Sequence, residues 1–352
     1  MVNKSSKVGD RDADDRNELK GQLRKGEDEP KDQGEKGARR SKRDAEETTQ
    51  MTKLVMVGEI QKIFEEAMLI IRDFLTSDMQ VLAINIKGPT GVGKTSLVFY
   101  MTEQLSRELN RKVPFEFAQC NQAQDYHELL GYQKIAYEGD KLTTQFVDGP
   151  ILKAIKAANE DDIAILLLDE LNGLASEVQK LLNSLLDGRD MVKYGDIEAK
   201  IYKGKKLIVI GTMNELQSGY NGINPLNIDL ERRFDYTFIL PYPNQDDEFK
   251  IIKKMAGEGV DSDVIKAAIK LANHTRGKDE DEWEGPPIST PMLIAFISAF
   301  EKFSKSNIPH ALMEAFKVSI LNHFDEQLRK PLLEKAIDVG LIAADDANRD
   351  GE

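Results

Sequence analysis

Gly88-Pro89-Thr90-Gly91-Val92-Gly93-Lys94-Thr95, followed by Ser96, is the stretch on which the reading of the whole chain turns. It satisfies the pattern G-x-x-x-x-G-K-[ST]. Glycines let the backbone curl so that successive N–H groups point inward at phosphate oxygens, and the positive end of the following helix adds to the field. The Lys94 ammonium then reaches the β- and γ-phosphates of a nucleotide, and the Thr95 hydroxyl is suited to ligate Mg2+. The flanks agree with this. Val81 to Ile86 reads as a short buried strand running straight into Gly88, and Leu97, Val98, Met101 and Leu105 recur at helical spacing after it. Residues 88–96 are therefore expected to bind nucleotide.

The second half of such a site follows 75 residues after Lys94. Ile165-Leu166-Leu167-Leu168-Asp169-Glu170 is a continuous apolar strand that delivers two adjacent carboxylates at its C-terminal end, where ligands sit in open α/β sheets. Asp169 is expected to orient Mg2+ and Glu170 to polarise an attacking water, so the pair favours hydrolysis over simple nucleotide binding. A further buried strand, Leu207 to Thr212, runs on to Asn214, an amide suited to bond both the γ-phosphate and the lytic water. Leu230-Glu231-Arg232-Arg233-Phe234 puts two arginines at a helix end before the last strand, Tyr236 to Leu240. A guanidinium there neutralises charge spreading over the γ-phosphoryl oxygens during transfer. Spacing alone leaves open whether Arg232 or Arg233 does so.

Outward from these motifs, the 352 residues have room for one large and one small domain. A composition of 40% hydrophobic and 31% charged residues is that of a soluble globular protein. No apolar run approaches the ~18 residues of a membrane span, and no secretory signal opens the chain. One cysteine, Cys120, excludes a disulfide framework or a cysteine metal cage. His127, His274, His310 and His323 lack metal-ligand spacing. The expected location is cytoplasmic. A net charge of −13 argues against coating nucleic acid or anionic membrane by bulk charge.

Residues 1–50 hold thirteen acidic and thirteen basic residues and no aromatic one, too little apolar surface to offset the entropy of ordering. They read as a disordered polyampholyte tail in which Arg39-Arg40-Ser41-Lys42-Arg43 is a solvated run. Alternating strand-like and helical stretches continue to the Pro241-Tyr242-Pro243 punctuation, the pattern of a mostly parallel sheet. Beyond it only helices are expected: Asp246 to Ala256, Asp261 to Asn273, one opening at a Ser289-Thr290-Pro291 cap and running to Lys305, and one from Pro309 to Leu328. An acidic loop, Lys278 to Glu284, carries the single tryptophan. The expected organisation is a tail over 1–52, a nucleotide-binding domain over 53–242, a helical lid over 243–338 and an acidic tail over 339–352.

Taken together, residues 54–325 resemble the AAA+ superfamily and, within it, the MoxR/CbbQ-type (CbbQ/NirQ/GvpN-like) group. Beyond the nucleotide motifs, Phe146-Val147-Asp148-Gly149-Pro150-Ile151 is similar to that group's F-x-x-G-P-L segment. Asp169-Glu170-Leu171-Asn172 with Val178-Gln179 and Leu182-Asn183-Ser184-Leu185-Leu186 resembles its D-E-I-N-R helix. Thr212-Met213-Asn214 through Tyr220-Asn221-Gly222 and Pro225-Leu226-Asn227 to Arg233-Phe234 resembles its sensor-1 and arginine-finger block.

The resemblance implies an α/β P-loop NTPase fold with a parallel central sheet, followed by a small all-α lid. It also implies Mg-dependent ATP hydrolysis in a ring, commonly a hexamer, with Arg233 or Arg232 reaching into a neighbour's site. Tyr132–Phe146 becomes a hairpin insertion and Met191–Gly204 a second hairpin, both facing the pore or a partner. The implied work is chaperone-like remodelling or activation of a protein client, often beside a von Willebrand factor A-type partner.

Two positions depart from the family. Gly173 stands where the group has an arginine, and Met292 where the lid's sensor-2 arginine falls, with Arg276 the nearest substitute. Two other functions compete. One is a nucleic-acid-linked AAA+ motor (McrB-like or helicase-loader-like), kept alive by Lys193, Lys200, Lys203, Lys205 and Lys206 against the acidic body. The other is a slow or non-hydrolysing nucleotide-gated scaffold.

Overall fold

A computed structural model describes residues 54–121, 125–138, 141–214, 226–256, 259–277 and 283–347. The tail over 1–52, the basic run at 39–43, the Tyr220-Asn221-Gly222 segment and most of the 278–284 loop lie outside the described residues. Residues 51–352 form one compact unit.

In chain order the elements are α1 (Gly58–Thr76), β1 (Val81–Gly88), α2 (Lys94–Glu108), β2 (Phe115–Gln119), α3 (Tyr126–Leu130), β3 (Gly131–Glu138) and β4 (Lys141–Asp148). There follow α4 (Pro150–Asp161), β5 (Ile163–Asp169), a 3-10 turn Leu171–Gly173, α5 (Ser176–Leu186), β6 (Met191–Tyr194), β7 (Ile197–Lys200), β8 (Lys206–Asn214), α6 (Ile228–Glu231) and β9 (Tyr236–Ile239). The helical part comprises α7 (Gln245–Ala256), α8 (Ser262–Thr275), α9 (Thr290–Lys305), α10 (Ala311–Ser319), a 3-10 turn Leu321–His323, α11 (Glu326–Asp338) and α12 (Ala344–Ala347).

Five parallel strands make the central sheet in the order β2-β5-β8-β1-β9. Both faces are covered, which is why β5 is apolar from Ile163 to Leu168 and buried at every residue. Period-two alternation sends Ala164, Leu166 and Leu168 to a core shared with α4 and α5, while Ile163, Ile165 and Leu167 face a second core shared with α1 and α2. The order matters for the site. The strand between β1 and β5 is β8, so its C-terminal residues lie between the phosphate loop and the carboxylate pair. Gly88 is in register with Asn214. The two expected hairpins form as β3–β4 and β6–β7, each antiparallel.

The helices after β9 surround their own core, with Phe296 and Phe316 fully buried at its centre. The helix expected over Pro309–Leu328 is broken. It ends at Ser319, and α11 restarts at Glu326 and continues through Pro331. Ser319, Ile320 and Leu321 are all buried at the break, and Ile320 leaves the helical conformation there with φ −129°, ψ −65°. Leu341 and Ile342, inside the expected acidic tail, also close this core. Trp283 packs edge-on against Phe324 and donates from its indole to the Pro286 carbonyl at 3.1 Å. Among the described residues no helix is long and apolar enough to cross a membrane.

Candidate functional site

The loop between β1 and α2 has the backbone that its glycines foretell. Gly93 adopts φ +95° at the N-cap of α2, a conformation that L side chains rarely take, and a Cβ at Gly88 would meet the Leu240 carbonyl oxygen at 2.1 Å. Lys94 opens α2 and is buried. Its ammonium donates to the Gly88 and Pro89 carbonyls at 2.9 and 2.8 Å and to Asn214 Oδ1 at 2.9 Å. Asn214 is fixed in turn, since Asn172 Nδ2 donates to its carbonyl at 3.1 Å.

Opposite the loop, Asp169 Oδ1 accepts from two hydroxyls: Thr95 Oγ1 at 2.8 Å, and Thr212 Oγ1 in a short bond. Thr212 Oγ1 also accepts the backbone N–H of Glu170 at 3.0 Å. Glu170 is held at φ +55°, ψ +43°, left-handed for a residue with a side chain, at a cost of about 1 kcal/mol, and its side chain is exposed. Behind this pair lies buried Cys120, whose N–H donates to the Asp169 carbonyl at 2.8 Å. Burial, with the Asp169 and Glu170 charges adding, pushes its thiol up to about 12, so it stays a protonated core residue. The Thr95 hydroxyl and Asp169 carboxylate, one hydrogen bond apart, are a pair of hard oxygens of the kind Mg2+ selects.

The two arginines differ in their settings. Arg233 is partly buried, with Nη1 3.4 Å from Asp187 Oδ2, whereas Arg232 is exposed and donates its backbone N–H to the Ile228 carbonyl at the end of α6. Asp187 also takes Arg189 through two nitrogens, and this bond first, with the nearby Arg233 charge adding, holds its carboxyl below the usual range. Buried Gln179 accepts the Asn227 N–H at 2.7 Å and donates to the Leu174 carbonyl, which fixes the segment leading to Arg233.

Several expectations need correction. Arg276 is bound by Glu248 at 2.7 and 2.8 Å, with both side chains out of solvent, so its charge is committed inside the lid. Met292 packs on the lid core, as its uncharged side chain leads one to expect, and needs no correction. Ser289 provides no side-chain cap for α9. A side chain at position 173 would approach the Cys120 carbonyl at 2.8 Å, which explains glycine there. Of the five lysines, Lys193 pairs with Glu198 and Lys205 with Asp162, Lys206 is buried, and Lys200 and Lys203 line a cavity beside it that also holds Asp78. Asp187 and Glu248 belong to no motif, and Thr212 and Tyr242 lie in stretches whose signals gave them no role of their own. The sequence signals for Thr212 are its hydroxyl after the apolar run Leu207–Ile210 and its place in Thr212-Met213-Asn214.

Residues 83–234 match the family model described as AAA domain (dynein-related subfamily). The fold is an AAA+ P-loop NTPase fold. Among curated proteins, the chain is 35% identical over 150 residues to the uncharacterized protein YojN of Bacillus subtilis (strain 168), covering 42% of this chain and 44% of that one. It is 28% identical over 200 residues to an uncharacterized protein of Staphylococcus aureus (strain USA300), covering 56% and 64%. The chain thus spans about half the length of the curated relatives it matches. Among solved structures it is similar to NtrX of Brucella abortus in complex with ADP (18% identity, 78% of this chain and 56% of that one, TM-score 0.45). It is also similar to the RuvB Holliday junction branch migration motor of Thermotoga maritima (16%, 77% and 72%, 0.43).

Proposed function

We propose that this AAA+ chain is a Mg-dependent ATPase of the MoxR/CbbQ type. On this reading it is cytoplasmic, assembles into a homo-oligomeric ring, most simply a hexamer, and uses hydrolysis to remodel or activate a protein client such as a von Willebrand factor A-type partner. Residues 53–242 are then the nucleotide-binding domain and 243–338 the lid. The observation that carries it is the meeting of Lys94, Thr95, Asp169, Glu170 and Asn214 at the C-terminal edge of one parallel sheet.

Thr95 and Asp169 are the residues that would hold Mg2+, which when bound supplies charge neutralisation on phosphate oxygens. The N–H groups of Gly88–Ser96 and the Lys94 ammonium bind the triphosphate. Thr212 holds the Glu170 backbone so that the exposed carboxylate can take a proton from water. Asn214 ties Lys94 to β8. Arg233 serves a neighbour's site better than Arg232 does, because its partly exposed guanidinium has only a long ion pair with Asp187, which Arg189 already engages, and an Nε with no hydrogen-bond partner among the described residues. The engagement of Lys193, Lys205 and Lys206 weakens the nucleic-acid alternative.

Phosphate release with Mg2+ and ATP tests the reading. Lys94→Ala should abolish it, whereas Glu170→Gln should keep ATP binding and slow turnover by at least about 100-fold. Wild-type turnover in Glu170→Gln would refute the mechanism. Arg233→Ala should be inactive alone and regain activity when mixed with Lys94→Ala, because the mixed ring pairs an intact finger with an intact loop.

A further inference from the structure

The lid holds a buried ion pair that the chemistry above does not use. Arg276 Nη1 and Nη2 donate to the two Glu248 oxygens, and the two side chains are 1% and 0% exposed. Around this pair three lid helices meet. Glu248 lies in the first turn of α7, and Thr290, the first residue of α9, donates to Glu248 Oε1 at 2.7 Å. Arg276 ends α8 and donates from Nε to the Ile288 carbonyl at 2.9 Å.

From there the contacts run to the phosphate loop. The guanidinium lies 4.0 Å from the centre of the Tyr242 ring, and Tyr242 Oη donates to the Thr90 carbonyl at 3.1 Å. On the loop's other flank, a Cβ at Gly91 would come 2.9 Å from Ser289 Cβ and 3.0 Å from Pro291 Cδ, so the start of α9 is seated against it.

We propose that Glu248, Arg276 and Tyr242 form a strut bracing the outer side of the phosphate loop to the lid, with Tyr242 a positioning residue for triphosphate binding. The proposal rests on the nucleotide reading above. Its physical basis is the planarity of the peptide bond: the Thr90 carbonyl and the Gly91 N–H share one plane. A hydroxyl that fixes the carbonyl outside therefore fixes where that N–H points inside. The ion pair is poorly suited to stability alone, since apolar residues of similar volume often replace such pairs without loss. What it adds is a planar, two-pronged guanidinium of fixed orientation, stacked on the ring that reaches the loop.

The test uses the full chain, with ATP and Mg2+ titrated by calorimetry, turnover by phosphate release, and melting without nucleotide. Tyr242→Phe keeps the ring beneath Arg276 and deletes one hydroxyl. Its ATP Kd should rise about five-fold, the worth of one hydrogen bond, with the melting temperature falling by no more than about 4 °C and kcat falling by less than Kd rises. The double variant Glu248→Leu/Arg276→Met keeps the lid core filled and should raise Kd about ten-fold or more. Wild-type Kd in Tyr242→Phe overturns the strut, whether or not the double variant folds. If the wild-type chain binds no ATP, the nucleotide reading falls and takes the strut with it. If it binds and hydrolyses ATP and Tyr242→Phe matches it, only the strut falls.

Discussion

Lys94 and Lys206 are both buried, both donate to two backbone carbonyls, and lie by opposite ends of the same strand, β8. Their surroundings separate them. Lys94 sits where a glycine loop becomes a helix N-terminus, beside the Asn214 amide, with Thr95 and Asp169 adjoining. Lys206 closes the turn after α1 by capping the Ser77 and Met79 carbonyls, 4.8 Å from the Phe74 ring centre, and burial pushes its pKa down against the opposing pull of Asp78. A buried ammonium on carbonyls is therefore a packing device by itself. It becomes part of a ligand site only where inward N–H groups, a hydroxyl and carboxylates converge with it.

The sharpest way to break this comparison is to truncate each lysine. Lys94→Ala should lose ATP affinity by at least about 100-fold, as expected when a buried charge leaves a phosphate site. Lys206→Ala should leave Kd and kcat within about two-fold, since it touches none of the converging groups. Loss of nucleotide binding in Lys206→Ala would show that the two ends of β8 are not independent.

A smaller effect concerns stability. Lys206→Met should destabilise by about 1–2 kcal/mol in denaturant unfolding, because the Ser77 and Met79 carbonyls lose their donor. The pH dependence has a definite sign. A lysine pKa lowered in the fold means that the unfolded chain binds more protons between that value and about 10.5, so this lysine's contribution to stability rises with pH across that window. The stability of wild type relative to Lys206→Met should accordingly increase with pH there. A flat difference would mean that Lys206 is solvated.

The smallest effect is a null. With its thiol pushed up to about 12, Cys120 should resist alkylation at pH 8.5 in the native chain and react once it is unfolded. Rapid native labelling would show that the sheet end carrying Asp169 is open rather than packed.

The site's inner half was legible in the sequence because its signals are local. A phosphate loop announces itself within eight residues, and an apolar strand ending in Asp169-Glu170 needs only its neighbours to be read. Thr212 was harder to read, since its role depends on β8 lying between β1 and β5, and strand order is not written in any one strand. Arg276 went astray for a similar reason: proximity to the lid helix in sequence suggested the nucleotide, while Glu248, 28 residues away, holds it. The helix expected over Pro309–Leu328 kept its periodicity on paper and broke in the fold at Ile320, whose backbone leaves the helical range where the chain packs into the lid core.

By itself, then, the sequence determined the strand, glycine loop and helix of the candidate phosphate site, the carboxylate pair, and the change from alternating to all-helical structure after Pro241, because each follows from spacing along a few turns or one strand. Only the tertiary structure decided which charges serve one another and which face the site. Asp187 on Arg233, Glu248 on Arg276 and two carbonyls on Lys206 are contacts between distant segments, made because a buried charge is costly without a partner, and no periodicity encodes that choice.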